Sequence, residues 1–65
     1  MLEWQARVMH EKSEFDERLA KLTAFCLTDQ YDDLPAYQQT LLDKQEDAMT
    51  EYSEILGKRI ELFDD

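Results

Sequence analysis

The sequence predicts an all-α fold: an antiparallel two-helix hairpin that assembles into a symmetric homo-oligomeric helical bundle. Three observations carry that prediction. Apolar residues recur at three- and four-residue steps along two long stretches, which is the period of a helix and not the alternation of a strand. A polar segment ending at Pro35 separates the two stretches. The second stretch bears an apolar face wider than one partner helix can cover, so copies of the chain are expected to meet there.

The first helix is predicted over residues 2–27. Trp4, Val8, Phe15, Leu19, Leu22, Phe25 and Cys26 follow the helical period, and neither glycine nor proline interrupts them. Glu14 precedes Arg18, and Glu17 precedes Lys21, at the four-residue spacing of acid-before-base pairs. Each such pair adds a few tenths of a kcal/mol on an exposed face, about 0.2–0.5.

The linker, residues 28–34, breaks the period with Thr28, Asp29, Gln30, Tyr31, Asp32, Asp33 and Leu34. Pro35 follows it, and its fixed φ and missing N–H suit the first turn of a new helix. Asp32 or Asp33 is expected to cap that helix by accepting from its free amides. A connection this short makes the two helices antiparallel neighbours.

The second helix is predicted over residues 35–63. Leu41, Ala48, Ile55 and Leu62 form one seven-residue series, Leu42, Met49, Leu56 and Phe63 form a second beside it, and Tyr52 and Ile60 widen the band. Gly57 lies inside this pattern and costs about 1 kcal/mol relative to alanine. Folding the hairpin about Tyr31 sets Leu22 by Leu41, Phe15 by Ala48, and Val8 by Ile55.

Size sharpens the argument for association. The chain has 65 residues and a mass of 7.8 kDa, and a globule that small buries only about 60% of the surface its unfolded chain exposes. Apolar burial then roughly balances the entropy of ordering. A single cysteine, Cys26, excludes an internal disulfide, and no Cys/His cluster suggests zinc. Self-association is the remaining support, and Cys26 is read as a small core hydrophobe. The N-terminus lacks a secretory pattern and no apolar run reaches the roughly 20 residues that span a bilayer, so a cytoplasmic location is expected.

Net charge is −9, and residues 28–65 hold eleven acids and three bases against five acids and four bases in residues 1–27. An acidic surface repels duplex phosphates and anionic lipid, which argues against general nucleic-acid or membrane binding. The same surface suits a basic protein, including one that normally holds DNA. Asp43, Glu46, Asp47, Glu51 and Glu54 are the candidate protein-binding face for that alternative.

Four polar residues, Glu11, Arg18, Gln45 and Arg59, fall within the apolar stripes. Either they form an internal network, with Arg18 near Gln45 and Glu11 near Tyr52, or they line a ligand pocket. At the open end of the hairpin Trp4, Arg7 and His10 come close to Lys58 and Arg59. The candidate ligand-binding set is Trp4, Arg7, Tyr52, Lys58 and Arg59: the bases hold a phosphate while Trp4 or Tyr52 stacks on a base. Two plainer readings are that Arg59 lies over the Trp4 ring, or that the bases complement the helix dipole.

Catalysis finds no footing. There is no glycine-rich phosphate loop, His10 is the only imidazole, and Ser13, Ser53 and Cys26 lack a base and orienting partner. His10 with Glu14 makes a two-ligand edge, but the paired Glu-x-x-His motifs of di-iron bundles are absent. The expectation is a binding protein with no cofactor and no metal.

The segments EKSEFDERLAKLTAFC at residues 11–26 and LLDKQEDAMTEYSEILGKRIELF at residues 41–63 resemble a family of very small helical-hairpin proteins of tailed phages and prophages, including crAss-like phages. Phe15 stands where that family usually carries leucine. In architecture the chain is also similar to phage sponge proteins that sequester cyclic nucleotide signals of bacterial immunity. The resemblance implies a non-enzymatic phage accessory protein that counters host defence by sequestering a nucleotide as a homo-oligomer. The alternative it leaves open is the acidic inhibitor of a basic host protein.

Overall fold

A computed structural model describes residues 2–63. Three helices follow one another: α1 over Glu3–Phe25, α2 over Asp29–Asp32 and α3 over Ala36–Glu61. The described residues contain no strand. The long helices lie antiparallel in a rod of 48 × 14 × 13 Å, which is one hairpin thick in both short directions.

Side-chain hydrogen bonds mark both ends of α1 and the start of α2. The Leu2 amide, outside α1, donates to Gln5 Oε1 at 3.0 Å, half of the reciprocal arrangement that satisfies the free amides of a first turn. At the far end Thr28 Oγ1 donates to the Phe25 carbonyl at 2.7 Å and accepts from the Tyr31 amide at 3.3 Å. One hydroxyl therefore closes α1 and starts α2. The linker consequently holds a helical turn where the sequence predicts only a break in period.

The start of α3 differs from expectation. Neither Asp32 nor Asp33 caps it; Pro35 occupies the cap position and provides no side-chain bond. Gln39, inside the first turns of α3, reaches back instead. Its Nε2 donates toward the carbonyls of Tyr31 at 2.9 Å and Leu34 at 3.2 Å, so linker carbonyls and not helix amides receive the side-chain support.

Packing selects one of the two apolar series of α3. Leu42, Met49, Leu56 and Phe63 turn toward α1, and Leu56 is fully buried at 0% exposure. On α1 the matching seam runs through Gln5, Val8, Lys12, Phe15, Leu19, Leu22 and Cys26. The α1 seam steps by four and three residues, as does α3 once the half-buried Glu46, Ser53 and Ile60 between its apolar positions are included, the spacing of interlocked helices. The other series faces outward: Leu41, Ile55 and Leu62 are 61%, 48% and 81% exposed.

The pairing therefore differs from Leu22 by Leu41 and Val8 by Ile55. The Phe15 ring meets Tyr52 edge-on at 4.9 Å instead of facing Ala48. Burying the second series brings in the aromatic Phe63 and the fully buried Leu56, a larger apolar seam than the first series offers with Ala48. Trp4 likewise packs edge-on against Phe63 at 5.1 Å, closing the open end.

Candidate functional site

Half-buried polar side chains interrupt the seam at mid-height. Lys12 Nζ pairs with Asp16 Oδ2 at 2.5 Å, and Ser53 Oγ on α3 donates to the other oxygen, Asp16 Oδ1. Two donors on one carboxylate hold it in its ionised form. The Lys12 and Ser53 hydrogen bonds accordingly keep the Asp16 carboxyl below its ordinary pKa. Gly57 lies against this group, since a Cβ there would meet Lys12 Cε at 3.4 Å, an ordinary contact. Clearance for Lys12 is therefore no reason for the glycine.

Just above it, Tyr52 donates to Glu11 Oε1 at 2.7 Å. The bond to Glu11, with some loss of hydration, raises the phenol's pKa, and the positive charge of Arg59 opposes that rise. Arg59 is thus electrostatically within reach of Tyr52. The expected Glu11–Tyr52 contact is present, while Gln45 Nε2 reaches Met49 Sδ at 3.8 Å and makes no bond to Arg18 among the described residues.

The candidate ligand residues sit at the open end. Trp4 and Arg7 lie in the first two turns of α1, and Lys58 and Arg59 lie in the last turns of α3. The Trp4–Phe63 and Glu11–Tyr52 contacts bracket that interval. Trp4, Arg7, Tyr52, Lys58 and Arg59 are all exposed. Trp4 and Phe63 meet at a steep angle, and no cation–π contact joins Arg59 to the Trp4 ring among the described residues. His10 faces Glu14 at 3.1 Å, taking the acid that the sequence pattern assigned to Arg18.

The acidic face is less continuous than its spacing suggests. Asp43 accepts from the Tyr31 hydroxyl at 2.7 Å, and Glu46 is half-buried in the seam between Leu42 and Met49. Asp47, Glu51 and Glu54 remain exposed. At this closed end burial, aided by the charges of Glu46 and Asp43, raises the Cys26 thiol pKa, which makes it a poor nucleophile.

The Lys12–Asp16–Ser53 group is not among the residues that the sequence singles out. Its signal was available: Lys12 and Ser53 each occupy a three-four seam position where an apolar residue is the rule, and Asp16 follows Lys12 by one turn. Among the described residues no three His, Cys, Asp or Glu side chains gather as a metal site, and no helix is long and apolar enough to cross a membrane.

A family model described as Sequestin matches residues 2–62. The chain belongs to the Sequestin family. The match takes in both long helices and the turn between them, so it covers the hairpin as a unit. No curated protein and no solved structure gives a significant match. As a Sequestin the chain is a non-enzymatic phage accessory protein that sequesters a nucleotide immune signal.

Proposed function

We propose that this Sequestin-family hairpin captures its nucleotide at the open end, as a homo-oligomer acting in the host-cell cytoplasm. The feature that supports this reading is that Arg7, Lys58, Arg59 and the exposed Trp4 all lie on turns at the same end of the hairpin, on a chain whose net charge is −9. In a field this acidic, one local cluster of bases is the place where phosphate oxygens are attracted and not repelled.

The roles divide by chemistry. Arg7 and Arg59 offer planar forks that bond two phosphate oxygens at once, and Lys58 supplies a point charge. Trp4 presents the free part of its ring to a base, a stacking contact worth about 1–3 kcal/mol. Tyr52 is held by Glu11 at the inner edge of the cluster. No bond of the ligand is made or broken, so binding alone keeps the signal from its receptor.

Isothermal calorimetry against cyclic di- and trinucleotides and cyclic ADP-ribose isomers tests the proposal. One panel member binds, and Arg59→Ala weakens it by about tenfold, the loss of one charge-assisted contact. No heat at millimolar ligand, or unchanged affinity in both Arg59→Ala and Trp4→Ala, overturns it.

A further inference from the structure

The hairpin leaves most of a second seam uncovered. Along α3 the residues Leu41, Gln45, Ala48, Ile55, Arg59 and Leu62 are exposed at three-four spacing, while Tyr52 in their midst gives its ring and hydroxyl to Phe15 and Glu11 of α1 and is still 40% exposed. This repeats, on the outer face, the spacing by which α3 docks on α1. The surface area agrees with a missing partner. The chain exposes 5112 Å², whereas a compact monomer of 7.8 kDa exposes about 4,400 Å². The excess, about 700 Å², is close to the roughly 800 Å² that each side of a stable interface buries.

We propose that the occupant is a second copy of this chain, its α3 packed antiparallel on the first about a two-fold axis near Glu51 and Tyr52, and that Lys44 of the second copy thereby joins Lys58 and Arg59 in one anion site. The inference rests on the nucleotide reading for the identity of the anion, but not for the pairing. Antiparallel pairing sets Leu41 against Leu62 and small Ala48 against large Ile55, whereas parallel pairing sets Ala48 on Ala48 and leaves a gap. It also opposes the two helix dipoles where parallel pairing aligns them.

Charge placement is the telling feature. Residues 28–65 contain only three bases, Lys44, Lys58 and Arg59. The same two-fold that matches the apolar residues brings Lys44 of one copy to Arg59 of the other, with Gln45 opposite Lys58. Symmetry makes two such clusters in each dimer. Like charges facing one another weaken an unliganded dimer, and an anion between them reverses the sign. Ligand and dimer are then linked, each tightening the other. Gln45, whose only side-chain bond among the described residues is the long one to Met49 Sδ, supplies an amide donor to the same cluster.

Disulfide trapping in a Cys26→Ser background tests the pairing without any ligand. A Lys44→Cys chain mixed with an Arg59→Cys chain gives the mixed dimer as the main oxidised product. Homodimers at both positions, or no cross-link, overturn the antiparallel arrangement while leaving nucleotide capture standing. Sedimentation equilibrium tests the charge. Lys44→Glu tightens the ligand-free dimer about fivefold by turning two repulsions into attractions, and inorganic pyrophosphate tightens the wild-type dimer but not the variant. A weaker or unchanged Lys44→Glu dimer, or an equal pyrophosphate response in both proteins, overturns the role of Lys44. If the mixed cross-link forms and no nucleotide binds, the capture reading fails alone.

Discussion

The Tyr52 hydroxyl of α3 donates to Glu11 of α1 at 2.7 Å, while the ring of the same tyrosine stands edge-on against Phe15 at 4.9 Å. One side chain thus fixes both the height and the rotation of the two helices. Its phenol pKa is raised chiefly by that bond. Folded-state protonation is favoured, so the contribution is complete below the unfolded tyrosine pKa, near 10, and is lost as pH rises through the higher folded value. In a Tyr31→Phe, Tyr37→Phe background, absorbance titration should find Tyr52 ionising above the ordinary range, and Glu11→Gln should bring it down. An unmoved midpoint in Glu11→Gln contradicts the assignment.

Asp16 predicts the opposite pH limb. Its pKa is lowered by the hydrogen bonds from Lys12 and Ser53, so its contribution is present above the unfolded aspartate pKa, about 4, and is lost as pH falls through the lower folded value. Ser53→Ala should cost about 1 kcal/mol at neutral pH. It should also flatten the acid side of a melting-temperature profile. An acid limb identical to wild type counts against the group.

At the closed end the Tyr31 hydroxyl donates to Asp43, and the phenol is pushed up to about 12. Stability from this bond is complete below pH ~10 and disappears as pH rises through about 12. Urea midpoints of wild type and Asp43→Asn, compared from neutral pH upward, should differ at pH 8 and converge at the alkaline end. A constant difference throughout contradicts the linkage.

Adjacent residues on α3 should behave unlike one another. Leu56 is fully buried against α1, and Leu56→Ala should destabilise by about 2–5 kcal/mol at any protein concentration. Ile55 faces outward, and Ile55→Ser should lower the melting temperature by weakening association, so that the deficit depends on concentration. Circular-dichroism melts at two concentrations a hundredfold apart separate the cases. A concentration-independent deficit in Ile55→Ser contradicts an intermolecular role.

Much of this architecture was legible in the residues. The three-four steps of Phe15, Leu19, Leu22, Cys26 and of Met49, Tyr52, Leu56, Ile60, Phe63 give both helices, and Pro35 places the turn. Periodicity could not say which series turns inward, because Leu41 and Leu42 stand one position apart and the choice depends on the whole seam. The buried Gln5 and the Lys12–Asp16–Ser53 group were hidden for a related reason. A polar residue in a seam looks like an interruption until its partner on the other helix is known. Gln39 leaves no mark in the periodicity because its work is done on linker carbonyls, eight and five residues back at Tyr31 and Leu34. The open-end bases were visible from sequence, since Arg7, Lys58 and Arg59 stand out against a net charge of −9.

The central claim is that a single hairpin hides too little apolar surface and must join another copy. Only Val8 and Leu56 among its described apolar residues are buried. Sedimentation velocity of the untagged, ligand-free protein at low micromolar concentration measures this directly. A helical species of at least twice the 7.8 kDa chain mass is the predicted result, and a fully helical, cooperatively melting monomer would contradict it.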